Sequence, residues 1–149
     1  MAASQILSQF NFLVTWDNMK GETKEAGFQE VGGLTLEVAI AEYRAGNAKT
    51  NETTKFSLLA KAGDTTFKRG VIGANDLYDW VSAVRDGKDG QGKKVTVTLL
   101  NNARKPVMNW YLLGARPIKY AAPTFNGKGT DLAIEELTLS VERIEQEAA

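Results

Sequence analysis

Short apolar runs with a two-residue period make up nearly the whole chain. In the first run Phe10, Phe12, Val14 and Trp16 share one parity, and residues 95–100 alternate just as cleanly. Successive side chains of a strand point to opposite faces, so this pattern predicts strands with one buried face. Roughly seven such runs at short spacing favour a mainly β fold, either a barrel or a sandwich.

One stretch, residues 74–86, has the spacing of a helix instead. Its apolar residues fall at i, i+3, i+4 and i+7: Leu77, Trp80, Val81 and Val84. Asn75 is positioned to cap its start, and Gly87 fits the left-handed position after its end. The sequence therefore predicts a β-barrel or β-sandwich with one flanking helix packed on a sheet.

The length of 149 residues predicts a single domain, residues 1–149, in which two segments depart from the strand pattern. Residues 39–55 are polar and predict an extended arm loop, which is uncommon in a compact domain unless it has a function. Residues 142–149 are charged and predict a fraying C-terminal tail. A change of apolar parity across Glu135 and Glu136 predicts a bulge in the last strand.

The chain contains no cysteine and no histidine, and 18 basic residues balance 18 acidic ones. These absences exclude a thiol nucleophile, an imidazole base, a Ser-His-Asp triad and an ordinary zinc site. The balanced charge argues against a dedicated nucleic-acid binder, and no apolar run is long enough to cross a bilayer. The sequence therefore predicts no enzyme, no catalytic residue, no cofactor or metal, and no direct insertion into a membrane.

The predicted sheet is larger than one short helix can cover. Long strands with uncovered edges aggregate unless a partner chain pairs with them, and the arm loop has no evident use within the chain. A self-assembling structural protein accounts for both features. A small monomeric β-barrel that binds a hydrophobic ligand is the alternative from a different class.

A series of short motifs along residues 10–144 adds a family resemblance. The motifs are Phe10-Asn11-Phe12 to Trp16, Phe28-x2-Val31-Gly32-Gly33-Leu34, Tyr43-Arg44-x-Gly46, Lys68-Arg69-Gly70-Val71, Leu77-Tyr78-Asp79-Trp80, Pro106-Val107-x2-Trp110, Ala115-x-Pro117-x-Lys119 and Ala133-Ile134-Glu135. In this order they resemble the tail tube (inner tube) protein family of contractile phage tails and contractile injection systems. They are similar, more distantly, to the ring-forming tube protein of type VI secretion.

The resemblance implies a non-enzymatic structural subunit whose homohexameric rings stack into a hollow inner tube. A contractile sheath would drive the tube, baseplate and tube-terminating proteins would bound it, and effector protein or DNA would pass without sequence-specific binding. Assembly would occur in the cytoplasm of the producer cell, within a particle that is released or membrane-anchored. Thr96 and Thr98 would face the lumen. A tube-initiating baseplate protein of the same fold is the second candidate.

The same resemblance points to residues at contacts between subunits. In the arm these are Tyr43, Arg44, Asn47 and Lys49. The sequence also predicts that Glu135 and Glu136, at the change of parity, pair with Arg44 or Arg69 across a subunit boundary.

Overall fold

The computed structural model describes residues 6–16, 27–88 and 92–149. Within these ranges the chain forms nine strands and one helix. They are β1 (Phe12–Trp16), β2 (Phe28–Gly32), β3 (Leu36–Tyr43), β4 (Thr54–Ala62), β5 (Thr65–Gly70), α1 (Asp76–Arg85), β6 (Lys93–Leu100), β7 (Pro106–Ala121), β8 (Ile134–Ser140) and β9 (Arg143–Ala148). The mainly β class with one helix is confirmed.

Two antiparallel sheets share the long strand β7. Sheet A has the order β1-β6-β7-β9 and uses the first half of β7, whereas sheet B has the order β7-β8-β5-β2 and uses its second half. At the crossing, Gly114 has φ +64°, a conformation that side chains disfavour. The register shifts between Pro117 and Lys119, and bulges of this kind tolerate proline in a strand. Beyond that point β8 is the partner of β7 among the described strands, so this half of β7 is an edge of sheet B.

A single apolar core unites the two sheets and the helix. Val95 and Leu112 of sheet A, Phe67 and Leu137 of sheet B, and Leu77 of α1 are all 0% exposed. Alternation explains the arrangement, because every second residue of each strand points to the core.

Helix α1 lies within the predicted helical stretch and covers part of the core. The ring of Trp80 lies 5.7 Å from the ring of Trp16, and Gly87 has the predicted left-handed conformation, with φ +81°. Asn75 stands at the N-cap, but its side chain makes no capping bond and instead donates from Nδ2 to Oδ1 of Asp79, at 2.9 Å. In the described ranges no helix has the length and apolarity that crossing a membrane requires.

The predicted arm loop is largely a hairpin. β3 continues to Tyr43 and β4 begins at Thr54, so only residues 44–53 connect the two strands. Their ladder runs from Leu36 opposite Ala62 to Tyr43 opposite Thr54. Backbone hydrogen bonds hold the two strands together although most of their side chains are exposed. The prediction of a loop was wrong for these strands because it relied on the small number of apolar residues available for burial.

The predicted fraying tail is strand β9, which pairs with β7 at the edge of sheet A. Ile144 packs against the core, while Glu145 is exposed on the alternate parity. A charged segment can form an edge strand because only every second residue has to face the core. The prediction of a fraying tail was based on the charged residues of this segment and overlooked their alternation with Ile144.

The bulge predicted at Glu135 and Glu136 is absent from strand β8. Glu135 pairs with Arg69 and Glu136 with Lys68 without a shift of register. Glu135 is only 3% exposed and lies on the core face of the strand. The parity argument failed because it assumed that a glutamate faces water.

Candidate assembly interface

The most exposed element of the molecule is the hairpin of β3, β4 and their connecting loop, residues 36–62, which we call the arm. Its strands form a separate two-stranded sheet. Seven large apolar side chains of the arm are about half exposed or more: Leu36, Val38, Ile40, Tyr43, Phe56, Leu58 and Leu59. A contiguous apolar surface of this kind usually marks a contact between proteins.

Apolar side chains occur on both faces of the arm. Val38 lies opposite Ala60, and Ala41 lies opposite Phe56. Val38 and Ala41 are three residues apart on β3, so the two pairs point to opposite faces of the ribbon. A surface that covers one face of the arm therefore leaves the other face exposed.

Arg44 organises the loop at the tip of the arm. Its guanidinium donates to the backbone oxygen of Thr50, at 2.9 and 3.1 Å, and to that of Ala48, at 3.2 Å. The side chain thus folds back onto its own loop, and its predicted pairing with Glu135 or Glu136 of a neighbouring subunit stays a prediction. The other predicted contact residues of the arm are exposed at or near the same tip: Tyr43, Asn47 and Lys49.

Two glycines connect the arm to sheet B. Gly33 has φ +88°, and a Cβ at this position would collide with the backbone oxygen of Asp64. Across the connection, Gly63 donates its N–H to the backbone oxygen of Thr35, at 3.0 Å. The close backbone approach between the two connections therefore fixes the direction in which the arm leaves the sheet.

A buried ionic cluster holds sheet B and the helix together. Arg69 of β5 is 1% exposed and donates to Oε1 of Glu135 on β8, at 2.7 and 3.1 Å. It also donates to both carboxylate oxygens of Asp76, the first residue of α1, at 2.6 and 3.1 Å. On β7, the hydroxyl of Tyr120 donates to Oε2 of Glu135, at 2.8 Å. The cluster thus connects four elements.

The pairing of Arg69 with Glu135 lies within one chain, whereas the sequence analysis placed it across a subunit boundary. Both side chains are buried, so neither is presented to a neighbour. Glu136 points outward, beside Lys68 in the register. The sequence shows that the charges are complementary but not whether the partners belong to one chain or two.

The cluster shifts two pKa values. Burial by itself lowers the pKa of Arg69, but its hydrogen bonds and charge attraction to Asp76 and Glu135 outweigh burial and hold this pKa above its ordinary value. Burial, with the hydrogen bond to Glu135 and the charge of that carboxylate, raises the pKa of Tyr120 from 10.0 to about 12. Arg69 is therefore fully charged and Tyr120 neutral over the physiological range.

Thr96 and Thr98 lie on the outward face of sheet A. Both are half-buried and alternate with the buried Val95 and Val97. Thr98 donates from its hydroxyl to Oδ1 of Asn109 on the neighbouring strand, at 2.7 Å. The lumen-facing role predicted for the two threonines stays a prediction.

The outward face of sheet B forms a second polar surface, which the sequence analysis did not propose. Lys68 lies between Glu30 and Glu136 in the register, and its Nζ is 3.1 Å from Oε2 of Glu30. Thr66 and Thr138 lie opposite each other, with their hydroxyls 3.4 Å apart. In the sequence of residues 65–70, the polar Thr66 and Lys68 stand on either side of Phe67, and this alternation was the signal that could have revealed the face.

Both sheets also have unpaired edges. Among the described strands, none pairs with the outer edge of β2 or with the outer edge of the second half of β7, the two sides of sheet B. In the described ranges no three acidic side chains come together as metal ligands. Open edges and an exposed apolar arm are typical of a β-sheet subunit of a larger assembly.

Comparisons with known proteins identify the family. The model of the T4-like virus tail tube protein gp19 family matches residues 8–145, so the chain belongs to that family. None of the curated proteins matches it significantly. The chain is a structural tube subunit of a contractile tail or contractile injection system.

Solved structures agree with this assignment. A chain in the sheath-tube complex of the extracellular contractile injection system PVC, in the extended state, is 25% identical, with a TM-score of 0.83 over 98% of this chain and 94% of that one. A chain in the anti-feeding prophage cap structure is 23% identical, with a TM-score of 0.85 over 100% and 95%. Hcp1 from Flavobacterium johnsoniae shares the fold at 13% identity, with a TM-score of 0.57 over 94% and 97%.

Replacement of Arg69 by methionine tests the buried cluster. We expect Arg69→Met to lower the free energy of unfolding by about 3–5 kcal/mol, because it leaves two carboxylates without their cation. The matched control is Lys68→Met on the same strand, whose ion pair with Glu30 is exposed to solvent and therefore contributes little to stability. Urea denaturation monitored by tryptophan fluorescence measures both. Equal losses in the two variants would contradict the assigned role of the cluster.

Tyr120 predicts a dependence of stability on alkaline pH. Because its folded pKa of about 12 lies above its ordinary value of 10.0, the phenol stabilises the fold fully below pH 10 and loses this contribution as the pH rises towards 12. We therefore expect the difference in unfolding free energy between the wild type and Tyr120→Phe to shrink over that interval. Denaturation curves at pH 8, 10 and 11.5 give the difference directly, and a constant difference would refute the prediction.

Proposed function

We propose that this chain forms homohexameric rings that stack into the hollow inner tube of a contractile injection system or contractile phage tail. The observation that carries the proposal is the arm of a tail tube family member, with seven apolar side chains left exposed. Folding buries apolar groups because water disfavours them, so an arm that the chain does not cover is suited to a surface of another copy. Tyr43, Asn47 and Lys49 at its tip are proposed contact residues.

The edges of sheet B support closure into a ring. β2 and the second half of β7 lie on opposite sides of this sheet. Head-to-tail contacts between two different edges form rings when the rotation closes. In such a ring the sheets of neighbouring subunits adjoin, and the edges are no longer available for aggregation.

The outward face of sheet B is the better candidate for the channel wall. Across three neighbouring strands of this face the charge alternates from Glu30 to Lys68 to Glu136. Thr66 and Thr138 form an uncharged polar row beside these charges. A mixed polar wall holds water and binds passing cargo of either charge weakly. The face with Thr96 and Thr98 also carries Leu13, which is 49% exposed, and this apolar side chain suits a channel wall less well.

Single cysteines can decide between the two faces, because the chain has none of its own. We expect Thr138→Cys in assembled tubes to react with a small maleimide but not with a maleimide on a bulky polymer, and Thr98→Cys to react with both. Denatured tubes, in which both thiols must react, are the control. The reverse pattern would place Thr96 and Thr98 in the channel, as the sequence predicted.

The proposed tube has further partners. The neighbours in sheath-tube, baseplate and terminator structures support a sheath around the tube and baseplate and tube-terminating proteins at its ends. The proposed cargo is effector protein or DNA, held without sequence specificity, and the proposed place of assembly is the cytoplasm of the producer cell. The completed particle is either released or membrane-anchored.

A tube-initiating baseplate protein is the second candidate function. A chain in the baseplate structure of the anti-feeding prophage shares the fold, with a TM-score of 0.84. Such a protein would form rings that do not extend by themselves. The family match is compatible both with a tube-initiating protein and with a stacking tube subunit. It gives no support to the monomeric ligand-binding barrel.

Electron microscopy of the purified protein over a concentration series tests the proposal. We expect hollow tubes of uniform diameter from the wild type and short or absent tubes from Arg44→Ala, whose arm tip loses its hydrogen bonds to Thr50 and Ala48. The control is Arg85→Ala on α1, where the charge is also exposed but the residue is not part of the arm. Single rings at every concentration would favour the tube-initiating role, and a strict monomer would refute both.

A further inference from the structure

The loop between β7 and β8 contains the one asparagine of the sequence that is followed by glycine. Of nine asparagines, only Asn126 has this neighbour, Gly127. Both residues are exposed, and a Cβ added at Gly127 would meet no atom within 4 Å. Because glycine has no Cβ of its own, nothing obstructs the approach of its backbone nitrogen to the side-chain amide of Asn126.

Two hydrogen bonds fold Asn126 over the peptide unit of Gly127. The N–H of Gly129 donates to the backbone oxygen of Asn126, at 2.9 Å, and closes a turn. The N–H of Lys128 donates to Oδ1 of the Asn126 side chain, at 3.0 Å. The ring closed by this second bond includes the backbone nitrogen of Gly127, so the side-chain amide is held beside the peptide unit that contains this nitrogen.

We propose that Asn126 is a self-modification site, which converts to isoaspartate and aspartate through a cyclic imide. The nitrogen of Gly127 forms a bond to Cγ of Asn126, the bond from Cγ to Nδ2 breaks, and the proton of the Gly127 nitrogen leaves with Nδ2 as ammonia. Water then opens the imide. Its addition at Cγ gives aspartate, and its addition at the backbone carbonyl carbon gives isoaspartate, in which the main chain runs through the former side chain.

The hydrogen bond to Oδ1 assists the first step. Negative charge develops on Oδ1 as the nitrogen of Gly127 attacks, and the N–H of Lys128 already donates to this oxygen. An N–H donor placed at the oxygen where charge develops stabilises such an intermediate. The attacking nitrogen is also available, since no hydrogen bond engages the N–H of Gly127 in the part of the chain that the structure describes.

The pair Asp86-Gly87, at the end of α1, provides a contrast within the same chain. The N–H of Gly87 donates to the backbone oxygen of Val84, at 3.1 Å, so its nitrogen is held in the helix terminus. The side chain of Asp86 is a carboxylate, whose negative charge makes its carbon a poorer target for a nucleophile than the carbon of an amide. Asn126, and not Asp86, is therefore the modification site.

Conversion changes the loop in two ways. It replaces a neutral amide with a carboxylate, which is ionised at neutral pH, so a chain with 18 basic and 18 acidic residues gains a negative charge. Isoaspartate also adds one carbon atom to the main chain and thus lengthens the turn that Gly129 closes. Because the reaction needs only water, the converted fraction grows with the time since synthesis.

Peptide mapping of the full-length protein tests the site. The purified protein is incubated for days at neutral and at mildly alkaline pH, unfolded, and digested with trypsin. Cleavage after Lys119 and Lys128 gives the peptide 120–128, in which Asn126 is the only asparagine. Mass spectrometry follows the exchange of the amide NH₂ for OH, and electron-transfer fragmentation distinguishes isoaspartate from aspartate. A sample digested at time zero corrects for conversion during digestion.

Two controls separate the site from general deamidation. The peptide 45–49 from the same digest contains Asn47, which is also exposed but is followed by alanine. The matched variant is Gly127→Ala, whose methyl group obstructs the attacking nitrogen. The loop should tolerate alanine, because Gly127 is not among the glycines with positive φ and the space around it is open. Circular dichroism checks the fold of the variant.

We expect the wild-type peptide 120–128 to yield both isoaspartate and aspartate, and to do so faster at alkaline pH because the attacking nitrogen must lose its proton. Asn47, and Asn126 in Gly127→Ala, should convert several-fold more slowly. Aspartate without isoaspartate would indicate direct hydrolysis of the amide and would overturn the cyclic imide. Conversion of Asn126 no faster than that of Asn47, or equally fast in Gly127→Ala, would overturn the site.

Discussion

The burial of one guanidinium group governs how sheet B and the helix fit together. Arg69 is surrounded by the core, where an unpaired charge would be strongly unfavourable, so its donors must meet carboxylates in good geometry. Glu135 supplies them from β8 and Asp76 from α1, and Tyr120 of β7 occupies a further oxygen of Glu135. These bonds set the register of β8 against β5 and the point at which the helix meets the sheet. The need to pair the buried Arg69 therefore explains why Glu135, a charged residue, lies on the core face of β8.

The same chain buries its apolar side chains in the core and leaves others exposed on the arm. Phe67, Leu112 and Leu137 are fully buried, whereas the arm keeps seven large apolar side chains in water. In the proposed tube the hydrophobic effect therefore stabilises both the fold of each subunit and the contacts between copies. The close backbone approach at Gly33 fixes the arm before any neighbour arrives. A preformed arm loses less conformational entropy on docking than a loop that must first become ordered.

The outward face of sheet B carries charges of both signs. Lys68 lies there between Glu30 and Glu136, in keeping with the equal numbers of acidic and basic residues in the chain. A uniformly charged wall would hold a cargo of opposite charge and repel one of the same charge. As the proposed channel wall, this mixed face suits the passage of cargo more than its binding.

The mainly β class, the helix at residues 76–85 and the family resemblance could all be predicted from the sequence, because they depend on local periodicity and motif order. Three features became visible only in the folded chain: the exposed hairpin of residues 36–62, the pairing of the charged C-terminal segment as strand β9, and the position of Glu135 on the core face beside Arg69. Alternation shows which residues share a face, but it does not show what that face meets. Burial and ion pairing depend on contacts between residues far apart in the chain, and these exist only once the sheets are assembled.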